Sequence, residues 1–272
     1  MRVATLERTI HASVERIFEN VLDWEHLPWL HAHAFAGVEL LSRSREGWTA
    51  RVRLRVPEGP APEPVIEVAL ERDALRYTTR TVAGPGEGTV ITTTLLPRGG
   101  HRTSICVRFD VPGVPASAGP ALGAFYLRLY GRLWDEDEAM MRRRQEVLDR
   151  GLRGAPGPPA RLLVPAERLD PPAPLVVELA GEPVRVDWIE GRPVAHVARC
   201  PHQGAPLAEE RAPEGVLTCP WHGYRFDLRT GRSCDGRGLA LPGRVRVEPA
   251  PEGGLLLVLE PPEPPAAPQP VT

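Results

Sequence analysis

Two short clusters in the last third of the chain combine the residue types that bind transition metals. Cys200 precedes His202 by two residues, Cys219 precedes His222 by three, and sixteen residues separate the clusters. Each cluster pairs one thiolate with one imidazole, so two neighbouring metal ions can receive two sulfur ligands on one side and two nitrogen ligands on the other. A Cys2His2 zinc site is the alternative, but zinc fingers normally place both cysteines before both histidines. The alternating order therefore predicts an iron–sulfur cluster.

The residues around these ligands extend the pattern. They read CPHQGAPL at the first cluster and CPWHGYRFDLRTG at the second, so proline and glycine shape a loop around each pair. The two strings resemble the Rieske [2Fe–2S] domains. The resemblance implies that a [2Fe–2S] cluster is bound by Cys200, His202, Cys219 and His222.

The remaining cysteine positions favour one class of Rieske protein. High-potential Rieske proteins add a disulfide between the two cluster loops, where this chain has Gly204, Ala205 or Trp221. The resemblance is therefore closer to the low-potential ferredoxins and oxygenases. Cys106 and Cys234 fall in different predicted domains, and a reducing compartment disfavours a disulfide between them.

A second group of metal-binding residue types lies in the string ENVLDWEHLPWLHAHAF, which begins at Glu19. On an unbroken helix, positions five apart differ by about 140° around the axis, so His26 and His31 could not share a metal ion. Pro28 removes an amide donor and disfavours helical geometry at the residue before it. We therefore expect the helix to bend or end between the two histidines, which lets their rings converge.

The long helix predicted near the end of the first domain supplies candidate carboxylates in the string WDEDEAMMRRRQEVL. The apolar stripe of that helix consists of Tyr126, Tyr130, Leu133, Met140, Met141 and Leu148. The position missing from this helical series is 137, which predicts that Asp137 points inward. Glu138 stands four residues before Arg142, as expected of an exposed helix ion pair.

A buried carboxylate needs a positive partner. A ferrous ion bound also by the two histidines meets that need, and so does an ion pair with an arginine such as Arg144. Asp135 and Glu136 are the alternative third ligands, because four acidic residues are consecutive at this point of the helix.

The string ENVLDWEHLPWLH together with the inward aspartate resembles the mononuclear-iron motif of Rieske non-heme iron oxygenases. The resemblance implies that His26, His31 and Asp137 bind Fe(II), since the third ligand in that family is an aspartate a few residues before a glutamine, here Gln145. It also implies that Asp23 bridges a cluster histidine to an iron histidine and carries electrons. A carboxylate at the free N–H of a metal-bound imidazole also fixes its tautomer. The alternatives for Asp23 are a surface residue or a cap for the following turn.

The first 150 residues predict the α+β unit that positions this second group. A strand at 2–10 precedes a helix that Ser13 caps, and a long helix from about residue 120 to 150 closes the unit. Between the helices lie six alternating runs at 35–43, 48–56, 64–71, 74–82, 88–96 and 103–111. This order resembles the START superfamily, whose helix-grip fold curls an antiparallel sheet around the long C-terminal helix and leaves an apolar cavity.

The rest of the chain predicts a linker, a small all-β Rieske domain at 161–260 and a tail. The segment 151–160, GLRGAPGPPA, is rich in proline and glycine and precedes a strand-like run. Further short strands are predicted at 174–179, 183–188, 193–197, 215–218, 224–227, 244–248 and 254–259. The segment 261–272 contains too much proline for regular pairing and is predicted to be disordered.

Composition excludes several classes of partner. The 272 residues carry 33 basic and 35 acidic side chains, and every basic one is arginine. The net charge of −2 argues against nucleic acid and anionic membranes as partners. The first ten residues lack the apolar core of a signal peptide, and no run of about 18 apolar residues occurs. We therefore predict no membrane span and a cytoplasmic location.

Taken with these motifs, the resemblance implies an oxygenase that uses O2 and cluster-delivered electrons to hydroxylate, or oxidatively dealkylate, an apolar small molecule. It further implies a ferredoxin or an NAD(P)H-dependent reductase as electron donor, and a head-to-tail homotrimer as the assembly. The domain order is reversed relative to the usual oxygenase α subunit. The alternatives are a START-like ligand carrier fused to a Rieske ferredoxin, without mononuclear iron, and a Rieske component that delivers electrons to a separate enzyme.

Overall fold

A computed structural model describes residues 1–149 and 159–260. The chain divides into two compact units, Met1–Gln145 and Glu146–Thr272. The predicted linker at 151–160 lies outside the described residues except for its last two positions, and Ala160 already belongs to a strand. The predicted disordered tail at 261–272 lies entirely outside the described residues.

The first unit is built on a seven-stranded antiparallel sheet. Its strands are β1 (Arg2–Ile10), β2 (Phe35–Arg43), β3 (Gly47–Leu54), β4 (Val65–Glu71), β5 (Arg76–Ala83), β6 (Val90–Gly99) and β7 (Arg102–Asp110). Their order in the sheet is β1-β7-β6-β5-β4-β3-β2, so consecutive hairpins build six strands and β1 pairs with the last of them. The predicted strand and the six predicted alternating runs correspond to these seven strands.

Alternation of side chains along the strands creates the buried face of this sheet. In β6 the buried positions Ile91, Thr93 and Leu95 alternate with more exposed ones. Each of the three stands opposite a buried residue of β7, and Phe109 is the partner of Ile91. The apolar members of these pairs belong to one hydrophobic core with residues of the first and the last helix of the unit, among them Ile17 and Trp134. The sheet is therefore covered on one face, as period-two patterning predicts.

Three helices accompany the sheet, namely α1 (Val14–Leu22), α2 (Leu27–Leu30) and α3 (Gly119–Asp149). Ser13 caps α1 as predicted, and its side chain accepts a hydrogen bond from the Arg16 backbone N–H at 3.4 Å. The long helix α3 corresponds to the predicted closing helix. Sheet and helices together confirm the predicted α+β helix-grip fold.

The expected break of the first helix occurs earlier than the sequence suggested. The helix α1 ends at Leu22, before both histidines, and the Asp23 backbone N–H donates to the Asn20 carbonyl at 3.0 Å. Pro28 lies in the first turn of α2. The N–H groups of a first turn have no partner within the helix, so a proline without this donor is tolerated there. The expectation of a bend between His26 and His31 is therefore wrong, because Pro28 helps to start a new short helix.

The described residues of the second unit form three small antiparallel sheets of three strands each, ordered β11-β10-β9, β12-β13-β14 and β15-β16-β8. The strands are β8 (Ala160–Val164), β9 (Leu175–Leu179), β10 (Glu182–Ile189), β11 (Arg192–Val197), β12 (Val216–Thr218), β13 (Arg225–Asp227), β14 (Arg232–Ser233), β15 (Arg244–Pro249) and β16 (Leu255–Glu260). Short 3-10 turns lie at Ala166–Arg168, Pro213–Gly215 and Pro251–Gly253. The two-residue strand β14 was not predicted, because it is too short to show alternation. The small all-β second domain is confirmed.

Among residues 1–149 and 159–260, no helix has the length and apolar character needed to span a membrane.

Candidate metal centres

Three side chains predicted to bind iron converge in the first unit. His26 and His31 stand immediately before and after the four-residue helix α2, so one short turn brings both rings to the same side. Their ring centroids are 5.1 Å apart. Asp137 comes from the middle of α3 and faces them. The inward orientation predicted for Asp137 agrees with its position, because 15% of its side chain is exposed.

The separations of the ligand atoms suit a single metal ion. Asp137 Oδ1 lies 3.1 Å from His31 Nε2 and 3.5 Å from His26 Nε2. All three ligand atoms lie within 4.8 Å of one another. Divalent transition-metal ions bond nitrogen and oxygen at about 2.0–2.2 Å, so the ligand atoms around one ion lie about 3 Å apart. Two imidazoles and one carboxylate form the donor set that non-heme Fe(II) takes, and the residues present therefore fit the predicted ion.

The electrostatics of the metal-free group favour a charged pair. Burial opposes the charged form of His31, yet the hydrogen bonds and charges of Asp137 and Glu136 raise the pKa of this imidazole. Burial likewise favours the neutral form of Asp137. The pKa of this carboxyl is nevertheless lowered by the hydrogen bond and charge of His31, by the charge of His26 and by the hydrogen bond from the Asn20 amide. These shifts favour a protonated His31 beside an ionised Asp137, and a metal ion can take the place of that proton.

Two further polar residues contact the predicted ligands. Asn20 was not predicted from the sequence, and Glu136 was predicted only as an alternative third ligand. Asn20 is buried on α1, and its Nδ2 donates to Asp137 Oδ1 at 3.1 Å. Glu136 accepts from His31 Nδ1 at 2.7 Å, on the opposite side of the ring from Asp137. The signal for Asn20 is its place three residues after Ile17 on the buried face of α1, where an amide needs a partner.

Neighbouring charged residues depart from two expectations. Arg144 Nη2 lies 3.6 Å from Glu19 Oε1, so this arginine pairs with Glu19 and the alternative ion pair with Asp137 is wrong. Glu138 does not serve as an exposed helix partner. It accepts from Arg8 at 2.7 Å and from the His11 backbone N–H at 2.8 Å, because α3 packs against β1 at this point.

Asp23 lies beside the first histidine, as its spacing predicted. Its Oδ1 is 4.0 Å from His26 Nδ1, and 11% of its side chain is exposed. The residue is also the C-terminal cap of α1. The carboxylate of Asp23 thus lies on the Nδ1 side of His26, whereas Nε2 of that ring faces Asp137. Its role as a bridge between a cluster histidine and an iron histidine stays a prediction.

In the second unit, the two predicted cluster loops have the same backbone hydrogen bonds. In each loop the cysteine N–H donates to the carbonyl five residues later, and the N–H four residues later donates back to the cysteine carbonyl. The bonds are Cys200 to Ala205 (2.8 Å), Gly204 to Cys200 (3.0 Å), Cys219 to Tyr224 (2.8 Å) and Gly223 to Cys219 (2.9 Å). Gly204 and Gly223 have φ values of 85° and 68°, which glycine adopts without strain. Two equivalent loops therefore present one Cys–His pair each.

The four predicted cluster ligands converge between these loops. Both cysteines are buried and form no disulfide, and the rings of His202 and His222 have centroids 4.5 Å apart. The Cys219 thiolate accepts hydrogen bonds from the Cys200 thiol, the His222 side chain and backbone N–H groups. These bonds lower the pKa of Cys219 to about 5, while sharing the proton raises the pKa of Cys200. Thiolate sulfur on one side and imidazole nitrogen on the other suit a Rieske cluster.

A buried arginine anchors the chain that follows the first cluster loop. Arg185 on β10 pairs with Asp187 two residues later through bonds of 2.8 and 2.7 Å. Its Nη1 also donates to the carbonyls of Leu207 at 3.3 Å and Ala208 at 3.1 Å, and to that of Glu210. A single guanidinium therefore holds residues 207–210 against β10.

A second arginine lies near the imidazole side of the cluster site. The Tyr224 ring packs against both ligand imidazoles, with centroids 4.8 Å from His202 and 5.5 Å from His222. Arg237 lies over this ring at 4.0 Å and donates to the Tyr224 hydroxyl at 3.0 Å. A positive charge therefore stands one aromatic ring away from the nitrogen ligands.

Family models match both parts of the chain. The model described as polyketide cyclase / dehydrase and lipid transport matches residues 1–141. The model of the Rieske [2Fe-2S] domain matches residues 161–243. The second match includes all four predicted cluster ligands and supports a [2Fe–2S] cluster as the cofactor of this unit.

Individual relatives are similar over shorter spans. Apoptosis-inducing factor 3 of Mus musculus and that of Homo sapiens are each 46% identical over 41 residues, which is 15% of this chain and 7% of the relative. This chain thus spans a small part of the curated relatives it matches.

Solved structures resemble each unit separately. A START superfamily protein from Mycobacterium smegmatis is 21% identical over 53% of this chain and 97% of its own, with a TM-score of 0.38. The ferredoxin of carbazole 1,9a-dioxygenase from Nocardioides aromaticivorans IC177 is 23% identical over 39% of this chain and 99% of its own, with a TM-score of 0.31.

Through its first 141 residues the chain belongs to the polyketide cyclase / dehydrase and lipid transport family, and it carries a Rieske [2Fe–2S] domain at residues 161–243.

Proposed function

We propose that this protein is a Rieske-type non-heme iron oxygenase whose helix-grip unit binds the catalytic iron. One observation carries the proposal: His26, His31 and Asp137 bring their ligand atoms within 4.8 Å of one another in a chain that also has a Rieske domain. The matched families account for the fold and for the cluster. The mononuclear site adds the reason to expect chemistry on a bound molecule.

Fe(II) in such a site supplies the chemistry of O2 activation, and the Rieske cluster supplies electrons one at a time. The chain's own residues keep the site organised. His26 and His31 offer Nε2 atoms from a buried position, and the lowered pKa of Asp137 keeps its carboxylate ionised and able to bind a cation. Asn20 orients this carboxylate through its amide hydrogen bond.

Asp23 is proposed to connect the two redox centres. Its carboxylate lies on the Nδ1 side of His26, so it can hold the proton of that ring while Nε2 binds the metal. A cluster histidine is its proposed second partner. The electrons are proposed to come from a ferredoxin or an NAD(P)H-dependent reductase, and a head-to-tail homotrimer is the proposed assembly in the cytoplasm.

Aromatic side chains form part of the core between the sheet and α3. Phe109 stacks on Tyr126 at 5.0 Å and meets Tyr130 edge-on at 4.8 Å, between the sheet and α3. Burial, together with the nearby charge of Asp137, raises the pKa of Tyr77 and of Tyr130, so both phenols stay neutral. Apolar rings with neutral hydroxyl groups favour an apolar small molecule, which is the substrate class we propose.

The test is oxygen transfer to a bound compound. Apolar compounds are first screened for equilibrium binding to the protein with its cluster intact, and each binder is then incubated with Fe(II), reductant and 18O2. We expect at least one binder to gain 18O by mass spectrometry in the wild type and none to do so in His31→Ala. Binders that all stay unmodified would contradict the proposal.

The second candidate is a ligand carrier fused to a Rieske electron-transfer domain. The observation that favours it is the family description, which includes lipid transport. A carrier would bind the same compounds and return them unchanged. It needs no iron beyond that of its cluster, so His31→Ala would leave its ligand affinity as in the wild type.

A further inference from the structure

Each of the two ring nitrogens of His31 faces a different carboxylate. Nε2 lies 3.1 Å from Asp137 Oδ1, and Nδ1 lies 2.7 Å from Glu136 Oε2. The ring is almost fully buried, at 1% exposure. A metal-bound imidazole has one nitrogen on the metal and must carry its proton on the other.

We propose that Glu136 is the positioning residue of the metal site, because it receives the Nδ1 proton of His31 and so directs Nε2 toward the ion. The inference rests on the proposed function. It assigns a role to a residue that the sequence offered only as an alternative ligand.

The geometry separates Glu136 from the ligands. Residues 136 and 137 are consecutive on α3, so their side chains leave the helix about 100° apart. Asp137 reaches the space shared by the two Nε2 atoms, whereas Glu136 reaches the opposite edge of the His31 ring. A carboxylate at Nδ1 cannot share an ion with Nε2 of the same ring, since these two nitrogens point away from each other.

The carboxylate of Glu136 is itself held in place. Arg132, one helical turn earlier, donates from Nε to Glu136 Oε1 at 2.9 Å. His33 Nδ1 lies 3.5 Å from the same oxygen. Because Oε1 takes these two contacts, Oε2 is left to accept from His31. Arg132 also balances the negative charge that Glu136 brings next to the site.

Loss of such a partner weakens metal binding without removing a ligand. Replacing hydrogen-bond partners of metal-bound histidines costs about 10–100-fold in metal affinity. In Glu136→Ala the Nδ1 proton loses its acceptor, and the ring can adopt the other tautomer or rotate. In Glu136→Gln the amide oxygen can still accept that proton, so this variant should keep part of the affinity.

The matched control is Asp135→Asn. Asp135 also lies on α3, but its side chain is 69% exposed and forms its ion pair, at 2.7 Å, with Arg8 rather than with an iron histidine. The substitution removes one negative charge from the same helix turn. It therefore reports the effect of losing one negative charge and one exposed ion pair on this helix, without loss of a contact to His31.

The experiment is an anaerobic Fe(II) titration against a chromogenic chelator, on full-length protein with its cluster intact. Co(II) absorption spectra are recorded for the same variants, because ligand-field bands report ligand orientation and a merely structural role would leave them unmoved. We expect Glu136→Ala to bind Fe(II) about 10–100-fold more weakly than the wild type, with shifted Co(II) bands. Glu136→Gln should lie between them, and Asp135→Asn should match the wild type.

Two outcomes overturn the inference in distinguishable ways. If the wild type binds Fe(II) and both Glu136 variants bind it equally well with unchanged Co(II) bands, the positioning role is wrong and the proposed function stands. If the wild type binds no Fe(II) beyond its cluster, the proposed function fails and the inference fails with it. Should Glu136→Ala not fold, Glu136→Gln decides the result by the same criterion.

Discussion

Removal of the buried guanidinium of Arg185 should loosen the second unit, because it leaves a carboxylate without its partner. Arg185 is 3% exposed and Asp187 is 7% exposed, and two hydrogen bonds join them. Breaking a buried ion pair from one side costs about 3–5 kcal/mol, since one charge remains buried and uncompensated. Arg185→Leu also removes the donor for the carbonyls of residues 207–210, which follow the first cluster loop.

The suitable assay is hydrogen exchange of the most protected amides of β10, followed by mass spectrometry or NMR. These amides exchange through opening of the second unit, so the assay reads that unit separately from the first. A loss of 3–5 kcal/mol corresponds to exchange faster by roughly 100- to 4,000-fold. The visible circular dichroism of the cluster should weaken in parallel, because residues 207–210 lose their anchor.

Two further variants decide whether the reasoning holds. Arg185→Leu combined with Asp187→Leu should be more stable than Arg185→Leu alone, because the uncompensated carboxylate is gone. Arg246→Leu removes an exposed arginine that pairs with Glu248 at 2.8 Å and with Glu260 at 2.6 Å, and the free energy of unfolding of this variant should change by less than about 1 kcal/mol. A cost below about 1 kcal/mol for Arg185→Leu, or a double variant less stable than the single one, would show that the buried ion pair does not stabilise this unit.

Three further predictions concern the two metal centres. In the metal-free protein the pKa of His31 is raised above its ordinary value of about 6.5, so protonation of this imidazole stabilises the fold. The stabilisation is complete below about pH 6.5 and is lost as the pH rises through the raised pKa. A divalent ion must displace that proton, so the affinity for Fe(II) should increase as the pH rises through the same range. Calorimetry in buffers of different ionisation enthalpy should detect the released proton, and an Fe(II) affinity independent of pH would argue against this linkage. Asn20→Leu removes a hydrogen bond to the carboxylate of Asp137, which should destabilise the metal-free protein by about 1.5–3 kcal/mol in thermal unfolding, and an unchanged midpoint would show that this bond contributes nothing. Arg237→Gln removes the positive charge over the Tyr224 ring, so the reduction potential of the cluster should fall by roughly 10–40 mV in a redox titration followed by circular dichroism, whereas an unchanged or higher potential would contradict the electrostatic argument.

Much of the fold could be predicted because its signals are local. The strands of the first unit alternate with period two between glycine and proline turns, and Ser13 marks the start of α1 in the sequence and in the structure. The end of α1 was not predictable in the same way. It depends on the backbone bond from Asp23 to the Asn20 carbonyl and on the start of a new helix near Pro28, which helical periodicity does not report.

The candidate site shows the same division. Helix phase predicted the inward Asp137, and the resemblance to iron oxygenases implied that it meets His26 and His31, although the bend expected near Pro28 was wrong. The roles of Asn20 and Glu136 were not predictable, because they depend on which side of the His31 ring and of the carboxylate each atom approaches. Such contacts join residues more than a hundred positions apart.

The proposed mononuclear site would give the chain a third iron in addition to the two irons of its cluster. The most direct measurement is the ratio of iron to acid-labile sulfide in protein loaded and purified without oxygen. We predict about three irons per two sulfides for the wild type and about two irons per two sulfides for Asp137→Ala with its cluster spectrum unchanged. Two irons per two sulfides in the fully loaded wild type, or three in Asp137→Ala, would contradict the account.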